Sequence, residues 1–403
     1  MDIQLKPIAD QVIVITGASS GIGLATARKA AQRGARVVLA ARDEQGLSRA
    51  TRAIVEAGGD AVYCVADTAN PDDVRRVAET ALREYGTIDT WVNNAGVSIY
   101  GALEDTPLED ARRLFDVNYW GMVNGAMTAL PILRRGGGAL INVGSIVSDR
   151  AVPMQGHYSA SKHAVKAFSD ALRVELEYDG APVSVTIIKP GSIDTPFPQH
   201  ARNLMDHEPT LPAPVYKPET VADAIVFCAQ HPRKSVTVGG GGRAISMMGI
   251  LSPGATDKAM RGMVDQQQKD EPTRPGRRDT LYQPPLDNGE TRGDYEGRVM
   301  RTSAYTKAVL HPGAAALAFG IVAGLGVVLA GATGLLGGRG ADEDEVFELE
   351  EEEFAAAAHV EPGDEVGVYA GELEMASDDY ADRGVDTLPG GDYGFRSGAD
   401  QAY

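Results

Sequence analysis

The chain has 403 residues, a net charge of −18, two cysteines and 43% hydrophobic residues. That length exceeds one ordinary domain, and two cysteines make no disulfide framework and share no metal-ligand spacing with the seven histidines, so no metal is expected. The acidic balance argues against nucleic-acid binding, because phosphates would be repelled. Residues 12–15 form a continuous apolar, β-branched run, the pattern of a buried parallel strand. It leads into Thr16-Gly17-Ala18-Ser19-Ser20-Gly21-Ile22-Gly23, and a helical pattern follows over 24–32. Further strands are predicted at 37–40, 62–65, 90–92, 140–143, 183–188 and 236–238. Helices fill the intervals, among them 71–85, where Pro71 suits a first turn. This alternation predicts an α/β fold with a doubly wound parallel sheet of about seven strands. Cys64, in the third strand, and Cys228, in an apolar helix, are expected to be buried small hydrophobes.

Two features bear chemistry. A strand, a glycine turn and a helix N-terminus make an anion site, because glycines admit a pyrophosphate to the backbone and unpaired amides favour negative charge. Farther on, Tyr158-Ser159-Ala160-Ser161-Lys162 puts a phenol and an ammonium on one helix face. A cation one turn away favours phenolate, moving the phenol toward the working range of a general acid/base. Gly17, Asn94, Ser145 and Pro190 all follow predicted strand ends, where open α/β sheets bind ligands.

Four more motifs occur in order: Asn93-Asn94-Ala95-Gly96, Asp116-Val117-Asn118, Gly144-Ser145-Ile146, and Pro190-Gly191 followed by Thr195. With these, residues 11–250 resemble the short-chain dehydrogenase/reductase family, in its shorter oxidoreductase branch with Thr-Gly-x-x-x-Gly-x-Gly spacing. The resemblance implies a Rossmann-like sheet in the order 3-2-1-4-5-6-7 and a homo-oligomer. It implies that Tyr158 exchanges the proton, Lys162 lowers its pKa and grips the nicotinamide ribose, and Ser145 polarises the substrate oxygen. Asn118 would hold a water behind the lysine, and Thr195 would bond the nicotinamide carboxamide. Gly17, Ser19, Ser20, Gly21, Ile22, Gly23, Asn94, Ala95, Gly96, Pro190 and Gly191 would line the rest of the cofactor, with Asp67 on adenine.

At the end of the second strand, Ala41 leaves neutral the place where an acid would select NAD, and Arg42 offers a planar cation suited to a 2′-phosphate. NADP (NADPH) is therefore expected over NAD. Asp43 opposes this, since it can turn toward the ribose or pair with Arg42. The segment 192–216 matches the substrate loop of such enzymes and mixes Phe197, Leu204, Met205 and Leu211 with five prolines, His200 and His207. It suggests a pocket lid for a hydrophobic carbonyl or alcohol; a surface loop of uninformative composition fits as well.

Beyond residue 250 composition takes over. Residues 253–269 suit a short helix, and 270–306 read as a flexible linker, rich in proline, glycine and charge. From 313 to 338 no residue is charged, long enough to cross a bilayer, and Pro312 could start the helix. A low-complexity stretch or an oligomer-contact helix remain the alternatives. Residues 341–403 hold 20 Asp or Glu and 2 Arg, the composition of a disordered acidic tail. Arg298, Arg301 and Lys307 precede the apolar run and only Arg339 follows it, so a single-pass protein would keep its catalytic domain cytoplasmic. The domain plan is thus 1–250 catalytic, 251–307 helix and linker, 308–338 candidate transmembrane helix and 339–403 tail. Two function classes follow: an oxidoreductase, or a catalytically idle NADPH-binding membrane sensor or scaffold.

Overall fold

The computed structural model describes residues 3–241, 248–249, 251–285 and 289–311. Seven parallel strands form the central sheet: β1 (Val12–Thr16), β2 (Arg36–Ala41), β3 (Asp60–Val65), β4 (Thr90–Asn93), β5 (Gly138–Val143), β6 (Val183–Pro190) and β7 (Ser235–Val238). Their spatial order is 3-2-1-4-5-6-7, as the resemblance implies. The sheet is covered on both faces, which is why its inner strands are apolar throughout. Ile13 and Ile15 of β1 pack toward α1 (Gly21–Gln32) and α2 (Glu44–Glu56), whereas Val12 and Val14 pack toward α3 (Pro71–Tyr85). Strand β3 lies at the sheet edge, so its residues alternate in exposure and Cys64 is only half-buried, contrary to expectation. Cys228 is fully buried, and burial pushes its thiol up to about 12.

Beyond β4, α4 (Leu108–Phe115) passes through a π-helical turn, Asp116–Trp120, directly into α5 (Gly121–Gly136). Turns of this kind collect at functional sites, and this one carries Asn118. The long α6 (Gly156–Tyr178) follows β5, and α7 (Pro218–Cys228) precedes β7.

The chain after β7 departs from the linker expected there. The short helix α8 (Pro253–Arg261) is present. Past it, Gln268–Pro272 pairs antiparallel with His207–Pro209, and Val299–Met300 pairs parallel with Val215–Tyr216, itself paired with Ser192–Ile193. The last described helix, α9 (Ala304–Leu310), buries Leu310 in the core beside β7, and Thr306 Oγ1 accepts the Gly239 N–H at 3.1 Å. This segment docks through backbone groups, through buried Leu281 and Leu310, and through ion pairs that include Arg277–Glu208 and Arg202–Asp279. Arg277 bonds Glu208 at 3.0 Å and donates to the carbonyls of Pro198, Gln199 and Ala201. Composition cannot register anchoring of that kind. Among the described residues no helix is long and apolar enough to cross a membrane; the apolar stretch 313–338 and the acidic tail 339–403 lie outside the described residues.

Candidate active site

The glycine turn is shaped by contacts that leave no room for side chains. Gly17 and Gly21 have φ of +64° and +53°, in the left-handed region that glycine tolerates. A Cβ on Gly17 would stand 2.8 Å from Ala95 Cα, and one on Gly23 only 2.1 Å from the Gly17 carbonyl oxygen. The turn is thereby pressed onto the end of β4. Thr16 Oγ1 accepts the N–H groups of Asn94 at 3.0 Å and Ala95 at 3.1 Å, and Asn94 Nδ2 donates to the carbonyls of Thr16 and Gly17. Ser19, Ser20, Gly21 and Ile22 border the resulting cleft at the start of α1.

Across the cleft stand Ser145 and Tyr158. Ser145 caps the turn after β5, its Oγ accepting the Val147 N–H at 3.2 Å, so its side chain is held in place. Burial pushes the Tyr158 phenol up to about 12, and a hydrogen bond with the Ser145 hydroxyl pulls it back only in part. The sequence led us to expect Lys162 to lower this phenol. Instead the lysine Nζ donates to the Val143 carbonyl at 2.9 Å and lies 5.8 Å from the centroid of the Tyr158 ring. Burial lowers Lys162 itself to about 8. Desolvation governs both groups and drives each toward its neutral form.

Asn118 is buried behind this pair and does not border the cleft. Its Nδ2 donates to the Val97 carbonyl at 2.9 Å and to Ser161 Oγ at 3.1 Å, and its Oδ1 accepts the Val97 N–H at 2.8 Å. Ser161 in turn donates to the Tyr158 carbonyl at 2.8 Å. Both amide donors are thus spent on protein, tying the segment after Gly96 to the helix that carries Tyr158 and Lys162.

At the other end of the cleft, Arg42 follows β2 and Asp67 follows β3. Asp43 caps α2 through Oδ1, accepting the Gly46 N–H at 3.0 Å, while its buried Oδ2 has no hydrogen-bond partner among the described residues and the residue borders the cleft. Arg42 donates to the carbonyls of Thr280 at 2.5 Å and Leu281 at 3.4 Å. Burial lowers its pKa, with neighbouring Asp67 opposing and Arg113 adding to that shift. Asp67 accepts a short 2.5 Å hydrogen bond from Arg113 and the Ala69 N–H at 3.0 Å.

Pro190, Gly191 and Thr195 close the cleft after β6, where Gly191 N–H donates to the Val238 carbonyl. Of the eighteen residues singled out from sequence, all but Gly23 and Asn118 border this one cavity, of 260 Å³. It also takes in residues that no motif marked. Phe197 packs against Tyr158 with ring centroids 5.6 Å apart, and Tyr100, wholly buried, shares a hydrogen bond with Gln155. Met263, Gln267 and Thr280 come from the late segment. For Tyr100 the signal was its place seven residues after Asn93; for the late residues there was none. Of the predicted lid, Phe197 and Leu211 border the cavity while Met205 packs behind it with Tyr100.

A doubly wound sheet with a glycine cradle and a Ser/Tyr/Lys cluster at its C-terminal edge defines a dinucleotide-dependent oxidoreductase scaffold. The short chain dehydrogenase model matches residues 11–205. Uncharacterized oxidoreductase YxnA of Bacillus subtilis (strain 168) is 45% identical over 329 residues, 80% of this chain and 91% of the relative. The chain belongs to the short-chain dehydrogenase family. A match of 329 residues also extends well past β7, into the late segment. The 11-beta-hydroxysteroid dehydrogenase A of Sesamum indicum is 33% identical over 243 residues, 58% of this chain and 69% of the relative. Among solved structures, an alcohol dehydrogenase from the archaeon Thermococcus sibiricus complexed with 5-hydroxy-NADP aligns with a TM-score of 0.50 and 27% identity, covering 57% of this chain and 95% of that one. A short chain dehydrogenase/reductase from Burkholderia phymatum in complex with NAD aligns with a TM-score of 0.53 and 25% identity, covering 67% and 100%.

Proposed function

We propose that this protein is an NADP(H)-dependent oxidoreductase that interconverts a hydrophobic carbonyl and its alcohol, with Tyr158 as the general acid/base. The single observation behind this reading is that Ser145, Tyr158 and Lys162 border one glycine-lined cleft, with the Lys162 Nζ 5.8 Å from the centre of the phenol ring. The cradle fits a dinucleotide, since Gly17 and Gly21 turn backbone without side chains toward the cleft at the start of α1. The cofactor supplies or accepts hydride when bound.

Every other task falls to the chain. A phenol held protonated at neutral pH is a donor, ready to give its proton to a carbonyl oxygen as negative charge develops there. Ser145 donates to the same oxygen and fixes its position relative to the phenol. Lys162, cationic below about pH 8, grips hydroxyls of the nicotinamide ribose and replaces charge stabilisation that burial removes. Asn118 holds Val97 and Ser161 so that the two halves of the site keep their spacing. Arg42, beside a neutral Ala41, favours a 2′-phosphate and hence NADP over NAD. Phe197, Val152, Leu211 and Met263 give the substrate end an apolar wall, in keeping with the steroid dehydrogenase named among the relatives. Residues 313–338 would tether the enzyme to a membrane with the site on the cytoplasmic side.

Replacing Tyr158 with Phe tests the assignment. Carbonyl reduction by purified protein, followed by NADPH absorbance, should fall about 10²- to 10⁴-fold while NADPH affinity stays within a few-fold. Undiminished turnover refutes the role given to the phenol. An idle sensor or scaffold would instead bind NADPH and reduce none of a panel of steroids, fatty aldehydes and retinoids.

A further inference from the structure

The cofactor cleft is contacted along its phosphate-binding side by the protein's own late chain. The Gly21 N–H, at the head of α1, donates to the Glu290 carbonyl at 2.9 Å. Arg42 donates to the carbonyls of Thr280 and Leu281, and Arg113 Nε donates to the same Leu281 oxygen at 3.1 Å. Leu281 is 1% exposed and belongs to the cluster that holds Leu114 and Val117, beside the Asp67 end of the cleft. Two glycines let this backbone lie flat. A Cβ on Gly289 would stand 2.7 Å from the Ser19 carbonyl oxygen, and one on Gly293 2.4 Å from that of Thr195. The Gly293 N–H is held by Asp194 Oδ1 at 3.2 Å.

At Gly21, Arg42 and Arg113 the contact is a neutral carbonyl oxygen sitting on a donor suited to an anion. Arg113 is charge-paired with Asp67, whereas Arg42 donates to two uncharged oxygens, and an ionised phosphate oxygen would satisfy it better. A helix-start amide likewise favours a phosphate over a peptide carbonyl. We propose that the stretches 279–281 and 289–293 are a built-in competitor of the dinucleotide: they occupy the donors at Gly21 and Arg42, and NADPH must displace them to bind. The proposal rests on the oxidoreductase reading above. It gives the late chain a regulatory part, because the apparent affinity for cofactor is reduced by the fraction of molecules in which these stretches are docked. Whatever loosens the late chain tightens cofactor binding.

Hydrogen exchange of the full chain with and without NADPH is the test, together with NADPH titration of Leu281→Ala. We expect NADPH to protect peptides covering 17–23 and to speed exchange in those covering 279–281 and 289–293. Leu281→Ala, which weakens docking without touching a donor, should bind NADPH about tenfold more tightly. NADPH-induced protection of the late stretches would overturn the proposal, since they would then cover the cofactor, and the oxidoreductase reading would stand. Unchanged affinity in a folded Leu281→Ala would also overturn it. Absence of any NADPH effect on 17–23 would bring down the oxidoreductase reading and the competitor together.

Discussion

Gly23→Ala is the sharpest probe of the cradle. The added Cβ would lie 2.1 Å from the Gly17 carbonyl oxygen and 2.6 Å from Asn94 Nδ2. An ordinary carbon–oxygen approach is about 3.3 Å, so turn and helix must separate by about 1.2 Å. The obstacle is backbone, with no flexible side chain to swing aside. Separation lifts the carbonyl of Gly17 off Asn94, to which it is bonded at 3.1 Å, and moves the amides of Gly21 and Ile22. Overpacking of this size costs about 1–3 kcal/mol of stability, and misplacing a positioned group by about 1 Å can cost about 10²-fold in function. NADPH affinity by fluorescence titration, alongside thermal unfolding, measures both. Gly136→Ala is the control: nothing lies within 4 Å of its Cβ, near the end of α5, and it should bind NADPH like the parent. A Gly23→Ala protein with parental affinity and melting temperature would refute the cradle argument.

Arg42→Ala should weaken NADPH about tenfold or more while changing NADH little, a loss typical of a charged hydrogen bond; equal losses for the two cofactors would remove the phosphate contact. Lys162 is lowered from 10.5 to about 8, so it is charged below that pH and neutral above. Carbonyl reduction should therefore hold steady below pH 8 and decline as pH rises through it, and a profile flat to pH 10 would show that the ammonium is not needed. Removing residues 312–403 should leave an active enzyme that stays in the supernatant while the full chain sediments with membranes. Removing 251–403 should abolish cooperative unfolding, because Leu281, Ser303 and Leu310 are buried against the core; a sharp melt from 1–250 would contradict that.

The sheet and the candidate site at its edge were legible because their signals are local. Buried parallel strands such as 12–15 and 183–188 are unbroken apolar runs, and Gly17, Gly23 and Tyr158 stand in short motifs whose spacing carries their geometry. Cys64 was misjudged because its apolar run resembles an inner strand, although the implied strand order already put the third strand at the edge. The acidity of Tyr158 was misjudged for a related reason: residue spacing places Lys162 on its face, but only the packed structure reveals that both groups are desolvated and that the ammonium turns to the Val143 carbonyl. The late segment was the largest omission. Thr280, Leu281 and Glu290 meet the site through main-chain carbonyls, which every residue owns and no composition reveals.

The pairing of Val299–Met300 with Val215–Tyr216 has a temporal side. Those two pairs of residues are separated by some eighty positions along the chain, and translation proceeds from the amino end. A nascent polypeptide can bring strands β1 to β7 together early, yet the pairing of Val215–Tyr216 with Val299–Met300 must wait until residue 300 has left the ribosome.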